Sequence, residues 1–107
     1  MKEIRTIAEL DEILANETNK LIIVKIGAQW CCPCRMLENT ISEIEGTNPE
    51  NVIFYAVDVD EAETDLLEKY MIQSVPVMLF FNDGLQIDRV VGARGKSDLL
   101  ALIEKNK

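Results

Sequence analysis

Three apolar runs along the chain predict strands that lie inside a sheet. The run at residues 21–27 is near-continuous and β-branched, which is typical of a strand covered on both faces. The segment 82–84, Asn-Asp-Gly, follows the third run and is a hairpin signal, so it predicts one further strand. The predicted strands span residues 3–7, 21–27, 52–59, 75–81 and 87–91.

Apolar residues at helical spacing predict four helices between and after these strands. Thr6 and Glu9 form a capping-box pattern at the start of the first helix, and Gly46 fits the end of the second. Ser97 is predicted to cap the last helix. The first helix is predicted to begin near residue 8, the second and third to span 31–44 and 61–70, and the last to follow residue 97.

The order of these elements, β-α-β-α-β-α-β-β-α, indicates the fold class. Alternating strands and helices imply parallel strands in a central sheet, and the final hairpin adds antiparallel pairing. We therefore predict an α/β fold with a central mixed sheet flanked by helices on both faces. At 107 residues, the chain is expected to form a single domain, residues 1–107.

The net charge of −8 narrows the range of partners. An acidic chain is repelled by nucleic acids and by anionic membranes, so neither is an expected partner. No run approaches the ~18 apolar residues of a membrane span. Residues 1–5 lack the apolar stretch and cleavage site of a signal peptide, so we expect a cytoplasmic protein.

The candidate chemistry lies in residues 30–35, where Cys31 and Cys34 stand three positions apart. That spacing brings two thiols to one face of a helix, where a small adjustment closes a disulfide. The unpaired N–H groups and partial positive charge of a helix N-terminus favour a thiolate at Cys31. Cys31 is therefore the candidate nucleophile, and Cys34, one turn further, is the candidate resolving thiol. Pro33 stiffens the first helical turn.

A Cys-x-x-Cys pair is also a zinc-ligand pattern, which is the main alternative chemistry. A structural zinc site takes four ligands, but the chain has no histidine and only three cysteines, all within residues 31–34. We therefore predict no metal site formed within one chain. Three thiolates from each of two chains would be able to hold an iron–sulfur cluster, although nothing else in the sequence supports one.

Four segments, in order along the chain, resemble the thioredoxin family. Residues 28–36 resemble its active-site segment, and residues 73–77 resemble its cis-proline loop. Residues 82–84 match its hairpin turn, and residues 91–93 match its second substrate-contacting loop. The resemblance covers nearly the whole chain and implies the thioredoxin fold.

The resemblance implies a substrate groove beside the two cysteines. Pro76 is expected to follow a cis peptide bond and face the disulfide, and Val75 to offer backbone groups to an extended substrate. Trp30, Gly92 and Ala93 are expected to line the same groove. The implied partners are disulfide-containing proteins and a flavin-dependent thioredoxin reductase or a comparable electron donor. We expect a monomer that needs no bound cofactor.

The first departure from the family's pattern is a charge at Lys25, where the family has a buried aspartate. The family's partner lysine on the next strand falls at Ala56 here. A neutral Lys25 would be able to act as a base for Cys34, whereas a charged one would stabilise a thiolate and make the disulfide more oxidising. In the alternative, Lys25 extends to solvent or pairs with Asp58 and has no catalytic role.

Two further departures concern Cys32 and Gly27. Cys32 replaces the glycine of the motif, and with Pro33 it lies between the thiols, where residues tune the reduction potential. Cys32 is otherwise expected to be an inert surface residue, or else a regulatory, dimer-forming or cluster-ligating thiol. Gly27 replaces the family's first tryptophan, so Trp30 is the only tryptophan in the chain.

These observations predict a protein disulfide reductase that works by dithiol–disulfide exchange in cell redox homeostasis. Two alternatives are also consistent with the sequence. The first is a disulfide oxidant or isomerase, which requires that Lys25 raise the reduction potential strongly. The second is a non-catalytic module that binds partners in the groove.

Overall fold

Five strands and four helices account for most of the computed structural model, which describes residues 1–107. The strands are β1 (Lys2–Glu3), β2 (Leu21–Gly27), β3 (Val52–Asp58), β4 (Val77–Asn82) and β5 (Leu85–Val91). The helices are α1 (Ile7–Asn16), α2 (Cys32–Glu45), α3 (Thr64–Lys69) and α4 (Lys96–Asn106). Their order along the chain is the predicted one.

The strands form one mixed sheet in the order β1-β3-β2-β4-β5. The pairs β1–β3 and β2–β3 are parallel, whereas β2–β4 and β4–β5 are antiparallel. The central strand β2 is buried at all seven positions, as its near-continuous apolar sequence predicts. The predicted α/β fold with a central mixed sheet is confirmed.

The two faces of the sheet carry separate hydrophobic clusters. Alternate residues of β2 point to opposite faces, so Ile23 belongs to one cluster and Ile22 to the other. Helices α2 and α4 cover the first face through Leu37 and Leu99, while α1 and α3 cover the second. The sheet therefore has helices on both sides. No helix is long and apolar enough to cross a membrane.

The prediction of a strand over residues 3–7 is wrong, because β1 contains only Lys2 and Glu3. The predicted capping box is present, with Thr6 as the N-cap of α1. The Glu9 carboxylate accepts hydrogen bonds from the backbone N–H groups of Arg5 and Thr6, both at 3.1 Å. These N–H groups serve the helix instead of the sheet, and the bond from Arg5 is the main cause that lowers the pKa of Glu9.

The predicted bounds of the last two helices also differ from the structure. Helix α3 spans only Thr64–Lys69, because the N–H groups of Glu61 and Ala62 bond to the carbonyl of Asp58 in a turn. Helix α4 begins at Lys96 after Gly95, so Ser97 lies inside the helix and does not cap it. At α2 the predicted end is confirmed, because the helix stops at Glu45 and Gly46 is its C-cap.

Candidate active site

The two active-site cysteines meet where the chain leaves β2 and starts α2. Cys31 is the N-cap of α2, and its Sγ accepts a hydrogen bond from the backbone N–H of Cys34 at 3.3 Å. Cys31 and Cys34 form a disulfide with Cα atoms 5.3 Å apart, which is within the usual range. Closure of the bond therefore fits the helical start without unwinding it.

The two sulfurs differ in access to solvent. Cys31 is 7% exposed and Cys34 is 1% exposed, so both are covered and Cys31 is the more accessible of the two. Pro33 occupies the first turn of α2, where its missing N–H costs no hydrogen bond. Cys32 is exposed and free, and its Sγ accepts a hydrogen bond from the Arg35 guanidinium at 3.2 Å.

An apolar loop closes over the disulfide from the side of β4. Val75 packs against the cluster formed by Ala28, Cys31 and Cys34. The Val75–Pro76 peptide bond is cis, and Pro76 is buried directly before β4. Neither the N–H nor the carbonyl of Val75 takes part in a backbone hydrogen bond within the chain.

The loop after β5 lies beside this proline. The N–H of Gly92 donates a hydrogen bond to the carbonyl of Pro76 at 2.8 Å. Gly92 has φ = +93°, a conformation that a side chain would strain, and exposed Ala93 follows it. Trp30, which directly precedes Cys31, is 68% exposed, and its Nε1 donates to Asp60 Oδ2 at 2.9 Å. The structure thus brings three loops to one end of the sheet.

Lys25 is buried behind the disulfide and does not extend into solvent or pair with Asp58. It is 6% exposed, and its Nζ lies 3.4 Å from Glu38 Oε2, on α2. The Asp58 carboxylate instead accepts a hydrogen bond from the N–H of Asp60, which holds it in the turn after β3. The predicted placements of Lys25, in solvent or beside Asp58, are therefore wrong, and its partner is Glu38.

Two residues near the site were not among those predicted from the sequence. Asp60 orients Trp30, and Glu38 pairs with Lys25. The signal for Glu38 was its position four residues after Cys34, which places both side chains on one helical face. No group of three or more His, Cys, Asp or Glu side chains is arranged to hold a metal ion.

The thioredoxin family model matches residues 2–105 of the chain. The chain belongs to the thioredoxin family. A thioredoxin of Mycoplasmoides gallisepticum is 36% identical over 104 residues, which cover 97% of this chain and 100% of that protein. The thioredoxin H-type of Oryza sativa subsp. indica is 40% identical over 92 residues, which cover 86% of this chain and 73% of that protein.

Two solved thioredoxin structures are similar to this one over the whole length of both chains. The X-ray structure of Fasciola hepatica thioredoxin matches with a TM-score of 0.90 at 33% identity, covering 100% of both chains. Plasmodium falciparum thioredoxin matches with a TM-score of 0.85 at 34% identity, also covering 100% of both chains. The predicted thioredoxin fold is confirmed. With its Cys31–Cys34 pair, this thioredoxin-family protein is a protein-disulfide oxidoreductase with dithiol–disulfide reductase activity.

Proposed function

We propose that Cys31 is the nucleophile and Cys34 the resolving thiol of this reductase. The observation that carries the assignment is the position of Cys31 at the N-cap of α2, where its sulfur accepts a backbone N–H of the first turn. That donor and the helix dipole stabilise a thiolate on Cys31. Cys34 lies one turn further and is almost fully covered, so it is suited to attack within the protein.

The reaction then runs in two exchange steps. The Cys31 thiolate attacks one sulfur of a substrate disulfide, a mixed disulfide forms, and the other substrate sulfur leaves as a thiolate. Cys34 then loses its proton and attacks Cys31 Sγ. The Cys31–Cys34 bond forms as the mixed disulfide breaks, and the second substrate thiolate leaves. Two electrons pass to the substrate, and the protein dithiol is oxidised.

The substrate groove is proposed to consist of Trp30, Val75, Pro76, Gly92 and Ala93. Support comes from the free N–H and carbonyl of Val75, which are able to pair with an extended substrate segment as an added strand. The same residue packs on the disulfide, so a strand paired there would pass close to Cys31. Trp30, directly before Cys31, offers an exposed aromatic ring.

The proposal also covers the partners, the oligomeric state and the location of the protein. Disulfide-containing proteins are the substrates, and a thioredoxin reductase or comparable donor restores the dithiol, as family membership implies. The protein acts as a monomer in the cytoplasm, where a disulfide reductase finds a reducing environment. Cys32 and Pro33, between the two thiols, tune the reduction potential. Sedimentation of the purified chain and cell fractionation test the monomer and the location.

Two variants that each keep one thiol test the assignment of Cys31. Cys32→Ser with Cys34→Ser leaves only Cys31, and we expect it to accumulate a stable mixed disulfide with a disulfide-linked protein substrate, because nothing resolves it. Cys31→Ser with Cys34→Ser leaves only Cys32, outside the proposed groove. We expect this variant to capture the substrate at least about tenfold more slowly than the Cys31-only variant. Capture is followed by non-reducing gel electrophoresis.

The native chain provides the control, because it must reduce the substrate and accumulate no adduct. Capture by the Cys32-only variant at a rate equal to or above that of the Cys31-only variant would contradict the assignment of Cys31, because the covered thiol would then have no reactivity beyond that of an exposed one. Adduct accumulation by the native chain would contradict the resolving role of Cys34.

A further inference from the structure

Lys25 is the only charged residue in the buried core. It lies in the middle of the central strand β2, opposite Ala56 of β3 and Met78 of β4. Burial of an ammonium group is costly unless a partner compensates it. The sequence therefore places one positive charge among buried sheet positions that are otherwise uncharged.

Gly27 allows this charge to approach the disulfide. A Cβ atom on Gly27 would lie 3.1 Å from Cys34 Sγ and 3.1 Å from Lys25 Cε. Both atoms therefore border the space that a single methyl group at Gly27 would fill. With no side chain at Gly27 to separate them, the Lys25 side chain approaches Cys34, and its charge acts on a Cys34 thiolate more strongly than it would across bulk water.

Glu38 connects this buried charge with solvent. Its carboxylate lies 3.4 Å from Lys25 Nζ, and its side chain is 54% exposed, whereas that of Lys25 is 8% exposed. Both residues line a cleft of about 510 Å³ between α2 and the end of β2, which Gly27 and Arg35 also line. Glu38 and Cys34 lie one turn apart on α2, so the pair stands directly behind the resolving thiol.

The geometry points to the Lys25–Glu38 ion pair as a device that shifts the reduction potential of the Cys31–Cys34 disulfide, in addition to the residues between the two thiols. Glu38 is a positioning residue: its carboxylate orients the Lys25 ammonium behind Cys34 and partly offsets its charge. The inference rests on the proposed role of Cys34 as the resolving thiol.

The electrostatic effect has a defined sign. In the resolving step the Cys34 thiol loses its proton to solvent, and the thiolate attacks Cys31 Sγ while the substrate thiolate leaves. A positive charge behind Cys34 stabilises that thiolate and hence the reduced protein. A negative charge at Glu38 weakens this effect. Loss of either charge alone therefore shifts the equilibrium between dithiol and disulfide, in opposite directions.

The test is the equilibrium constant of the Cys31–Cys34 couple against glutathione, measured for the native chain and two variants. Glu38→Gln keeps the shape and removes the negative charge, and we expect a shift of about tenfold towards the dithiol, which is about 30 mV more oxidising. Lys25→Met replaces a buried charge by an apolar chain of similar length, and we expect a comparable shift towards the disulfide.

Glu43→Gln is the matched control, because Glu43 lies on the same helix and pairs with Lys96 at 3.8 Å on the surface. Its equilibrium constant should equal that of the native chain. A merely structural ion pair would change the free energy of unfolding without opposite redox shifts. An unchanged constant in Glu38→Gln, or shifts of the same sign in both variants, would overturn the inference. Reduction of substrate by the native chain, measured alongside, keeps that failure distinct from failure of the proposed function.

Discussion

Met71 holds a backbone conformation that residues with side chains seldom adopt. Its φ is +53°, and its side chain is 71% exposed directly after α3. The neighbouring carbonyl of Tyr70 and its own carbonyl accept hydrogen bonds from the Arg89 guanidinium, so β5 fastens this turn. The turn leads into the loop of Val75 and Pro76. A methionine with positive φ lowers the stability of the fold, because its Cβ atom is crowded in this backbone conformation.

Met71→Gly is expected to stabilise the fold by about 1 kcal/mol, because glycine adopts positive φ without steric cost. The measurement is the free energy of unfolding in urea. Met36→Gly is the matched control, because Met36 is equally exposed, at 67%, but lies inside α2. There glycine should cost about 1 kcal/mol. Destabilisation by both changes would show that the Met71 side chain makes a contact that matters more than its backbone strain.

The sequence predicts the two reactive cysteines but not the side chains that surround them. Cys31 and Cys34 were predictable because thiols at that spacing have few other uses in a chain without histidine. The partner of Lys25 was not predictable, because it depends on where α2 crosses the sheet. Glu38 is thirteen residues away along the chain, and only the packing of α2 on β2 brings its carboxylate to Lys25.

Asp88 connects strand β5 with helix α4. On β5, its carboxylate accepts a hydrogen bond from Asn106 Nδ2 of α4 at 2.9 Å, and Lys105 Nζ lies 3.5 Å away. Its own neighbour, the N–H of Arg89, donates at 2.8 Å. The bond from Asn106 is the main cause that lowers the pKa of Asp88.

A lowered pKa makes this connection sensitive to acid. The unfolded chain, with an ordinary Asp pKa of ~3.9, binds more protons in acid than the folded chain, so stability falls as the pH drops through that value and below. In Asp88→Asn we expect the difference in unfolding free energy between about pH 7 and about pH 3 to be smaller than in the native chain. Urea unfolding at the two pH values measures it.

Glu12→Gln, which removes an exposed carboxylate from α1, is the control for the general effect of losing one negative charge. Its acid sensitivity should match that of the native chain. If Asp88→Asn and Glu12→Gln respond alike, the connection between β5 and α4 has no special part in acid stability.

Elements were predictable where their own side chains determine them. The span of β2 follows from a run of apolar residues that only a covered strand accommodates, and both bounds agree with the structure. The ends of β1, α3 and α4 depended on competition for backbone hydrogen bonds. The N–H of Glu63, for example, donates to the carbonyl of Arg5 across the fold, a contact that no local pattern contains.

The charge of the whole molecule bears on how substrates approach it. A net charge of −8 on 107 residues creates a field that extends about one Debye length, ~10 Å at 0.1 M salt. Asp60 and Glu61 add exposed negative charge in the turn that holds Trp30. Disulfide-containing substrates with a positive net charge should therefore meet the active site more often than substrates with a negative net charge.

Two otherwise identical disulfide peptides, flanked by lysines or by glutamates, test this expectation. At low salt we expect the lysine peptide to be reduced about tenfold faster, as electrostatic steering implies. The ratio should approach one at 1 M salt, where the Debye length is about 3 Å. Second-order rate constants measured across salt concentrations provide the result. A ratio that does not depend on salt would point to local contacts rather than to the field of the molecule.

The indole of Trp30 is hydrogen-bonded to Asp60, and the next residue along the chain, Cys31, forms the disulfide. No other tryptophan contributes to the spectrum of this protein. All indole emission therefore originates within one residue of Cys31 and from a ring that is open to solvent. The molecule carries its own optical reporter, so electron transfer and partner docking can each be followed in real time without an attached dye.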